Sequence, residues 1–375
     1  MKIGIITQPL IYNYGGILQN YALQQVLKMM GHNVVTINET VRYNTFRVYI
    51  RALVKSIVLK MLGRGRVFPY LLSSKERAYI NKNVNYFIEK YIVTSDNFAS
   101  DEETRRYVQC QGFDAFVVGS DQVWRPCYNR NVERSYLSFA KGMDVKRLSY
   151  AASFGVNFWE YTPQQTAVVK ELVKSFDAVS VREYSGIDLC KKHLGCDARL
   201  VLDPTLLLDK EHYEAVVNAE NEPRSCGNMF TYILDNSTEK VDKINIVAKE
   251  LGLKPFAILP QEVNARTMKS VDSCVYPPIT AWLKAYMDAE FVVCDSFHGA
   301  VFSIIFNKPF LILPNGGRGN ARFDSLLKLF GLEDRFVGDS LDKELIYRKI
   351  DWEAVNKRKE SLRAESLMYL QQNLR

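Results

Sequence analysis

One stretch, residues 291–314, constrains the fold more than any other part of the sequence. Residues 291–294 form a short apolar run that is typical of a strand buried on both faces. Polar residues and a glycine interrupt the run, after which residues 300–306 predict a buried helix and 310–313 a second strand. The pattern places His298 between the end of a strand and the start of a helix. In open α/β sheets, ligands bind beside the carboxyl ends of the strands, and the helix amino termini at that edge of the sheet favour anions.

The same rhythm of strand, loop and helix recurs along both halves of the chain. In the first half, apolar runs that predict parallel strands lie at 2–7, 33–37, 113–119 and 147–152. The alternation restarts near residue 229, after the chain turns polar. We therefore predict an α/β protein with two Rossmann-like, doubly wound domains facing across a cleft, which is a GT-B-like arrangement.

The domain boundary is predicted within the polar stretch at 207–223. The N-terminal Rossmann-like domain then spans residues 1–210, and the C-terminal Rossmann-like domain spans 211–345. A long charged helix at 346–375 is predicted to return toward the N-terminal domain. The first strand, loop and helix lack the G-x-G-x-x-G fingerprint, so a dinucleotide site is poorly supported.

The composition describes an ordinary soluble protein and argues against several classes. Of 375 residues, 47% are hydrophobic and 24% charged. No apolar run reaches the ~18 residues of a membrane span, and the first apolar run is too short for a signal peptide. The seven cysteines include no C-x-x-C pair, which indicates neither a zinc site nor a disulfide framework. We expect a cytoplasmic protein that needs no metal and no cofactor.

Positive charge is concentrated in one predicted amphipathic helix, residues 42–66. This segment contains seven basic residues and no acid, so the net charge of +7 lies entirely within it. Such a helix suits an anionic membrane surface or a phosphorylated lipid acceptor, which would place the protein peripherally on the inner face of a membrane. The alternative is a helix that packs its apolar face on its own domain. A nucleic-acid partner is not expected, because no binding motif accompanies the charge.

Polar side chains follow two of the predicted strands. Ser120 and Asp121 come directly after the strand at 113–119, and Arg182 follows the strand at 177–181. Because the carboxyl ends of parallel strands share one edge of a sheet, we predict that these residues face the cleft. The alternatives are a turn cap for the aspartate and a surface ion pair for the arginine.

Two glycine-containing loops are candidates for substrate binding. Asn13 and Gly15 lie in the loop before the first predicted helix. A second loop at 315–322 carries Arg318 and Arg322. Loop amides and guanidinium groups are suited to phosphate or carboxylate, although a flexible surface loop is the alternative.

The turn around His298 adds Ser296 and Gly299 to the predicted substrate-binding residues. The other three histidines lie beside or near the ends of predicted helices, so we expect them at the surface. A histidine at a strand-to-helix junction can also be purely structural. Beside an anion site, however, it is suited to proton transfer, which is our hypothesis.

Six short segments together resemble the polysaccharide pyruvyl transferase family, and they occur in the family's order. They are NYGGILQ at 13–19, GSDQVW at 119–124, SYAASFG at 149–155, SVRE at 180–183, LDPT at 202–205 and DSFHG at 295–299. Each alone is weak, but six in sequence form a fairly specific signal. The resemblance implies a GT-B-like fold and transfer of the enolpyruvyl group of phosphoenolpyruvate onto two sugar hydroxyls as a cyclic ketal.

The resemblance also implies roles for the domains and for individual residues. The N-terminal domain would form the acceptor side and the C-terminal domain the donor side. The family's catalytic histidine corresponds to His298, its arginine before the second domain to Arg182, and its amino-domain aspartate to Asp121. Many members carry arginine two residues before the histidine, where this chain has Ser296. A cation for the donor would then come from the glycine-rich loop at 315–322.

Two other functions remain open at this stage. The first is a GT-B glycosyltransferase that uses a nucleotide sugar, with the same loops holding a diphosphate. The second is a non-catalytic glycan-binding subunit of a polysaccharide assembly complex. The acceptor expected for the pyruvyl transferase is a glycan or lipid-linked oligosaccharide of a cell-surface or exopolysaccharide precursor.

Overall fold

The computed structural model describes residues 1–39, 45–63, 68–129, 131–235, 237–315, 320–338 and 340–375. Within these ranges the chain forms two parallel sheets with helices packed around them. Buried apolar side chains from both sheets join in one continuous core. The two halves are therefore packed directly on each other.

The first sheet is parallel and has the strand order β2-β1-β3-β4. Its strands are β1 (Lys2–Ile6), β2 (Asn33–Thr36), β3 (Ala115–Val118) and β4 (Lys146–Ser149). A short parallel pair, β5 (Ser180–Val181) and β6 (Arg199–Leu200), extends it through isolated bridges beside β4. β3 is apolar throughout and fully buried, as expected for a strand covered on both faces.

The helices of the first half are α1 (Tyr14–Met29), α2 (Thr45–Met61), α3 (Ser74–Ile80), α4 (Lys82–Tyr91), α5 (Asp101–Gln111), α6 (Pro163–Val173) and α7 (Tyr184–Leu189). Local sequence explains several of their ends. α6 begins with a capping box from Thr162 and proline in its first turn. α5 begins at the Ser100 cap and ends at Gly112 in the left-handed conformation.

The second sheet is also parallel, with the order β8-β7-β9-β10. Its strands are β7 (Met229–Tyr232), β8 (Pro255–Phe256), β9 (Phe291–Cys294) and β10 (Phe310–Ile312). The accompanying helices are α8 (Lys210–Ala219), α9 (Thr238–Leu251), α10 (Ile279–Asp288), α11 (Phe297–Ile305), α12 (Ala321–Phe330), α13 (Glu344–Tyr347) and α14 (Trp352–Asn373).

The last helix, α14, lies against the first sheet. The Tyr369 hydroxyl donates to the carbonyl of Ser149 at the end of β4, over 2.9 Å. The backbone N–H of Leu202, after β6, donates to the Ser366 hydroxyl over 3.0 Å. These buried hydrogen bonds attach the C-terminal segment to the N-terminal half.

Several predicted boundaries were wrong, and two of the errors matter for the site. α1 begins at Tyr14, so that Gly15 lies in the helix and not in the loop before it, and α11 begins at Phe297 and not at residue 300. His298 therefore lies in the first turn of a helix. α5 was not predicted, because its sequence is mostly polar and lacks an apolar period.

The sequence left open that the basic helix, α2, packs its apolar face on its own domain. The structure contradicts this alternative, because most of the apolar side chains of α2 are exposed. Phe46 and Met61 are 66% and 82% exposed. Ser56, on another side of the helix, is buried. Three of the seven basic residues, Arg42, Arg64 and Arg66, lie outside the described residues. In the described ranges, no helix combines the length and the apolar character needed to cross a bilayer.

Candidate functional site

Three strand ends of the first sheet bring together a buried ion network. Arg182, directly after β5, places Nη2 2.9 Å from Oδ1 of Asp121, which lies beyond β3. Its Nη1 lies 2.6 Å from Oδ2 of Asp203, which follows β6. All three side chains are almost completely buried. The arginine therefore holds two carboxylates apart and in fixed positions.

His298 reaches this network from the second sheet. Its Nε2 atom lies 3.7 Å from Oδ2 of Asp203, which is too long for a hydrogen bond. Nε2 is buried and has no hydrogen-bond partner among the described residues. The side chain is 6% exposed in total. A buried polar atom without a partner is costly unless a ligand or water satisfies it.

The His298 ring packs directly on Gly15. A Cβ atom added to Gly15 would lie 2.1 Å from Nδ1 of His298, so only glycine permits this approach. Gly15 is in the first turn of α1 and His298 in the first turn of α11. The amino termini of two helices, one from each half, therefore meet at one point.

Neither helix caps its own first turn with a side chain. Asn13 precedes α1 and Ser296 precedes α11, and neither side chain accepts a hydrogen bond from the following amides. The first turns also contain no acidic residue. Amides and positive dipole ends at both termini make this point favourable for an anion.

Asp121 is held in an unusual conformation. Its φ of 66° lies in the left-handed region, which is uncommon for residues other than glycine. Its Oδ2 accepts from Nδ2 of Asn13 over 3.2 Å. Burial alone would raise the pKa of Asp121, but the charges of Arg182, His298 and Arg322 outweigh it and the pKa lies below its usual range. Asp121 therefore stays ionised.

Asp203 is the central residue that the sequence analysis missed. Burial would raise its pKa, but the proximity of His298 and Arg182 lowers the pKa well below its usual range. Its other oxygen, Oδ1, accepts from the N–H and hydroxyl of Thr205. Ser120 also contacts it, with Oγ donating to Oδ2 over 3.3 Å. The sequence signal that could have indicated Asp203 was its position in Leu-Asp-Pro-Thr, a motif that follows a predicted strand.

Glu183 is a second buried carboxylate that was not predicted as a site residue. Its Oε1 accepts from the backbone N–H groups of Phe154 and Gly155, over 2.8 and 3.2 Å. Burial raises its pKa above the usual range, although Arg182 opposes the shift. The network thus combines two carboxylates with lowered pKa and one with raised pKa.

Arg322, at the start of α12, contributes a second buried guanidinium. Its Cζ lies 5.6 Å from the ring centroid of Phe297, and that of Arg182 lies 4.6 Å from the same ring. Burial and the neighbouring Arg182 charge lower the pKa of Arg322 to about 10. The two cations therefore lie close enough to repel each other, which an anionic ligand would relieve. Arg318, the other predicted cation, lies outside the described residues.

Ser296 and Gly299, the predicted substrate-binding residues beside the histidine, differ in their surroundings. Ser296 is the residue before α11 and is 9% exposed. A Cβ on Gly299 would lie 2.7 Å from Cβ of Cys294, so the glycine allows α11 to pack against β9. That close packing gives Gly299 a structural reason to be glycine.

A cleft of about 1100 Å³ lies between the two halves, beside the buried network. Among the described residues, five tyrosines line it, namely Tyr12, Tyr14, Tyr128, Tyr232 and Tyr276. Tyr12 stacks on Tyr276 with ring centroids 5.6 Å apart. Asn13 also lines the cleft and joins it to Asp121 through the hydrogen bond described above. Asn13 thus connects the cleft with the network.

The structure brings together most of the predicted site residues, namely His298, Asp121, Arg182, Asn13, Gly15, Ser120 and Arg322. They come from both halves of the chain and meet where the sheets face each other. Among the described residues, no group of three or more histidine, cysteine, aspartate or glutamate side chains is arranged to hold a metal ion.

Comparison with solved structures identifies the fold. The chain is similar to UGT89C1 of Arabidopsis thaliana in complex with UDP-L-rhamnose, with 10% identity, 98% of each chain covered and a TM-score of 0.54. It also matches UDP-GlcNAc 2-epimerase of Neisseria meningitidis bound to UDP-GlcNAc, with 8% identity, 98% of this chain and 94% of that chain covered and a TM-score of 0.49. MurG of Acinetobacter baumannii matches with 10% identity, coverage of 98% and 97%, and a TM-score of 0.45. The likeness to UGT89C1 confirms the predicted GT-B-like fold.

Sequence comparison identifies the family. A search of curated proteins found no match to this chain. The profile of the family described as polysaccharide pyruvyl transferase matches residues 13–317, which is most of the chain. This range includes all six of the motifs, and with them Asp121, Arg182, Asp203 and His298. The resemblance is confirmed, and the chain belongs to the polysaccharide pyruvyl transferase family.

Proposed function

We propose that this transferase moves the enolpyruvyl group of phosphoenolpyruvate onto two hydroxyls of a sugar, forming a pyruvate ketal. The observation that carries the proposal is the buried Nε2 of His298, which has no hydrogen-bond partner in the described part of the chain and lies at the meeting point of two helix amino termini. A proton donor beside an anion site is what enolpyruvyl transfer requires. The family match supports the same reaction class.

The donor would bind with its anionic groups toward the first turns of α1 and α11. Arg322 is the described cation best suited to the phosphate or carboxylate, because its buried guanidinium lies at the start of α12, beside Phe297 and the first turn of α11. Arg182 has both terminal nitrogens engaged by Asp121 and Asp203. We therefore assign Arg182 a positioning role in addition to its charge.

The chemistry proceeds by proton transfer to carbon. A proton moves from Nε2 of His298 to the methylene carbon of the donor, and the electron pair of the C=C bond forms the new C–H bond. The adjacent carbon becomes oxocarbenium-like, and one acceptor hydroxyl adds to it and releases its proton back to the ring. Cleavage of the C–O bond releases phosphate, and a second hydroxyl adds to the same carbon and gives its proton to the phosphate. No cofactor takes part in this scheme.

Asp121 and Asp203 orient the reactants in this proposal. A carboxylate with a lowered pKa is a weak base, so neither is well suited to remove a hydroxyl proton. Asp203 lies 3.7 Å from Nε2 of His298 and would form an ion pair with the protonated ring. Asp121, joined to the cleft through Asn13, would accept a hydrogen bond from the acceptor hydroxyl.

The tyrosine-lined cleft is the proposed acceptor site. Tyrosine offers a flat apolar ring and a polar hydroxyl, a combination suited to a sugar with apolar faces and hydroxyl edges. The acceptor class is a glycan or lipid-linked oligosaccharide of a cell-surface or exopolysaccharide precursor. We place the reaction in the cytoplasm, where phosphoenolpyruvate is available.

Product analysis tests the proposal. Incubation with phosphoenolpyruvate and a glycan acceptor should release inorganic phosphate in step with a pyruvylated glycan, measured by phosphate assay and mass spectrometry. The rival, a GT-B glycosyltransferase, is favoured by the fold shared with UGT89C1 and would instead release a nucleoside diphosphate from a nucleotide sugar. Glycan binding without turnover of either donor would indicate a non-catalytic subunit and contradict the proposal.

A further inference from the structure

α2 carries an uncovered apolar stripe along its outward side. We define this outward stripe by five exposed residues spaced three or four apart: Phe46, Ile50, Val54, Ile57 and Met61. At 3.6 residues per turn these positions fall within an arc of about 80°. The helix meets the rest of the protein through another side, where Ser56 is buried and Ala52 and Leu59 are half-buried. Nothing within the described ranges covers the outward stripe.

A basic stripe runs beside it. Arg47, Arg51 and Lys55 are spaced four apart and are exposed. Their arc is centred about 100° around the helix from the centre of the outward stripe. α2 contains no aspartate or glutamate that would offset the charge. The apolar stripe is suited to the acyl chains of an anionic bilayer, and the cationic stripe beside it is suited to the negatively charged headgroups.

We propose that α2 docks the protein on the surface of an anionic lipid bilayer, lying in the interface with its outward stripe in the acyl boundary. Charge complementarity selects this occupant: exposed arginines gain about 1 kcal/mol each near an anionic surface, and apolar side chains gain more by leaving water. Self-association of two such helices would bring like charges together, which opposes a second copy as the occupant.

α2 is attached to a segment that lies beside the cleft. Nζ of Lys60 lies 5.8 Å from the ring centroid of Phe68. The carbonyl of Phe68 accepts from the N–H of Ala265 over 2.8 Å, and Val263 lines the cleft. The docking helix is therefore attached near the cleft rim. That it presents the cleft to a lipid-linked acceptor rests on the proposed function, whereas the docking itself does not.

Vesicle flotation tests the docking without donor or acceptor, so its outcome is independent of the transferase proposal. The protein should float with vesicles containing about 30% phosphatidylglycerol and remain unbound with phosphatidylcholine alone. The double variant Arg47→Gln/Arg51→Gln should lower the partition coefficient by about 30-fold, at about 1 kcal/mol per charge. The matched control Lys191→Gln/Lys192→Gln changes two exposed cations elsewhere and should bind as the parent does.

Two further variants test the apolar contribution of the outward stripe to membrane binding. Phe46→Ser and Met61→Ser should each lower binding to the anionic vesicles by about tenfold, because each removes an apolar side chain from the acyl boundary. Phe158→Ser, at a residue 58% exposed outside α2, is the control and should have no effect. The proposal would be overturned if the protein bound equally to both vesicle types. It would also be overturned if the control variants lost as much binding to the anionic vesicles as the α2 variants. A lipid-free dimer in sedimentation analysis that Met61→Ser dissociates would overturn it as well, since a second copy would then cover the stripe.

Discussion

Replacing His298 with glutamine should lower kcat for phosphate release by about 10²- to 10⁴-fold, the range for losing a general acid. Binding of phosphoenolpyruvate should stay within about threefold of the parent, because the two helix termini and Arg322 remain. Glutamine preserves a polar group of similar reach beside Asp203 but cannot deliver a proton to carbon. Turnover kinetics and calorimetric titration with phosphoenolpyruvate measure the two effects separately.

The matched control for that variant is His32→Gln. His32 lies near the end of α1, outside the buried network. Both variants should unfold close to the parental temperature, so that a loss of activity in one alone reports on chemistry. If His298→Gln retained parental kcat, the histidine would have no part in proton transfer.

Replacing Arg182 with methionine should destabilise the protein by about 3–5 kcal/mol, the cost of leaving buried charges uncompensated. The variant leaves Asp121 and Asp203 in a site with little access to water. Denaturant unfolding at neutral pH gives the free energy of unfolding. The control, Lys174→Met, breaks an exposed pair with Glu171 and should cost at most about 1 kcal/mol.

The pH dependence of this destabilisation follows from the pKa values of the two buried carboxyls. In the parent, burial would raise these pKa values but the nearby cations hold them below the usual range, so the stability they contribute is fully present above the unfolded pKa. Without Arg182, burial is left to raise the pKa of the same carboxyls, so the folded variant takes up protons above the unfolded pKa and its stranded charges are neutralised. The difference from the parent should therefore shrink between pH 7 and pH 4.

A double variant isolates the ion pair between Arg182 and Asp203. Adding Asp203→Asn removes one of the stranded charges, so Arg182→Met/Asp203→Asn should be less destabilised than the sum of the single variants. Strict additivity, or a constant loss across the pH range, would contradict the view that Arg182 stabilises the network electrostatically.

The sequence allowed the fold and much of the site to be predicted, because both depend on local patterns. Apolar runs that alternate with helical periods indicated two parallel sheets, and the parallel sheets implied one shared edge. Asp121, Arg182 and His298 were placed at that edge by their positions after strands. The structure brings them into one buried network.

The remaining details depend on packing that no local pattern records. Gly15 and Gly16 suggested a loop because glycine disfavours helices, yet α1 includes both. Gly15 allows the close approach of His298, and Gly16 lies against Asn13 and Asp121. Asp203 looked like a turn residue before proline, and only the fold places it between Arg182 and His298. For the basic helix, periodicity revealed two stripes but not which side would face the protein.

Diffraction from crystals soaked with phosphoenolpyruvate tests the central claim most directly. We predict that the donor's methylene carbon lies within about 3.5 Å of Nε2 of His298, in the reach of a near-attack arrangement. Its anionic groups should face the first turns of α1 and α11, with the Arg322 guanidinium beside them. Density for the donor at another place, or a site still empty at a concentration that supports turnover, would contradict the account.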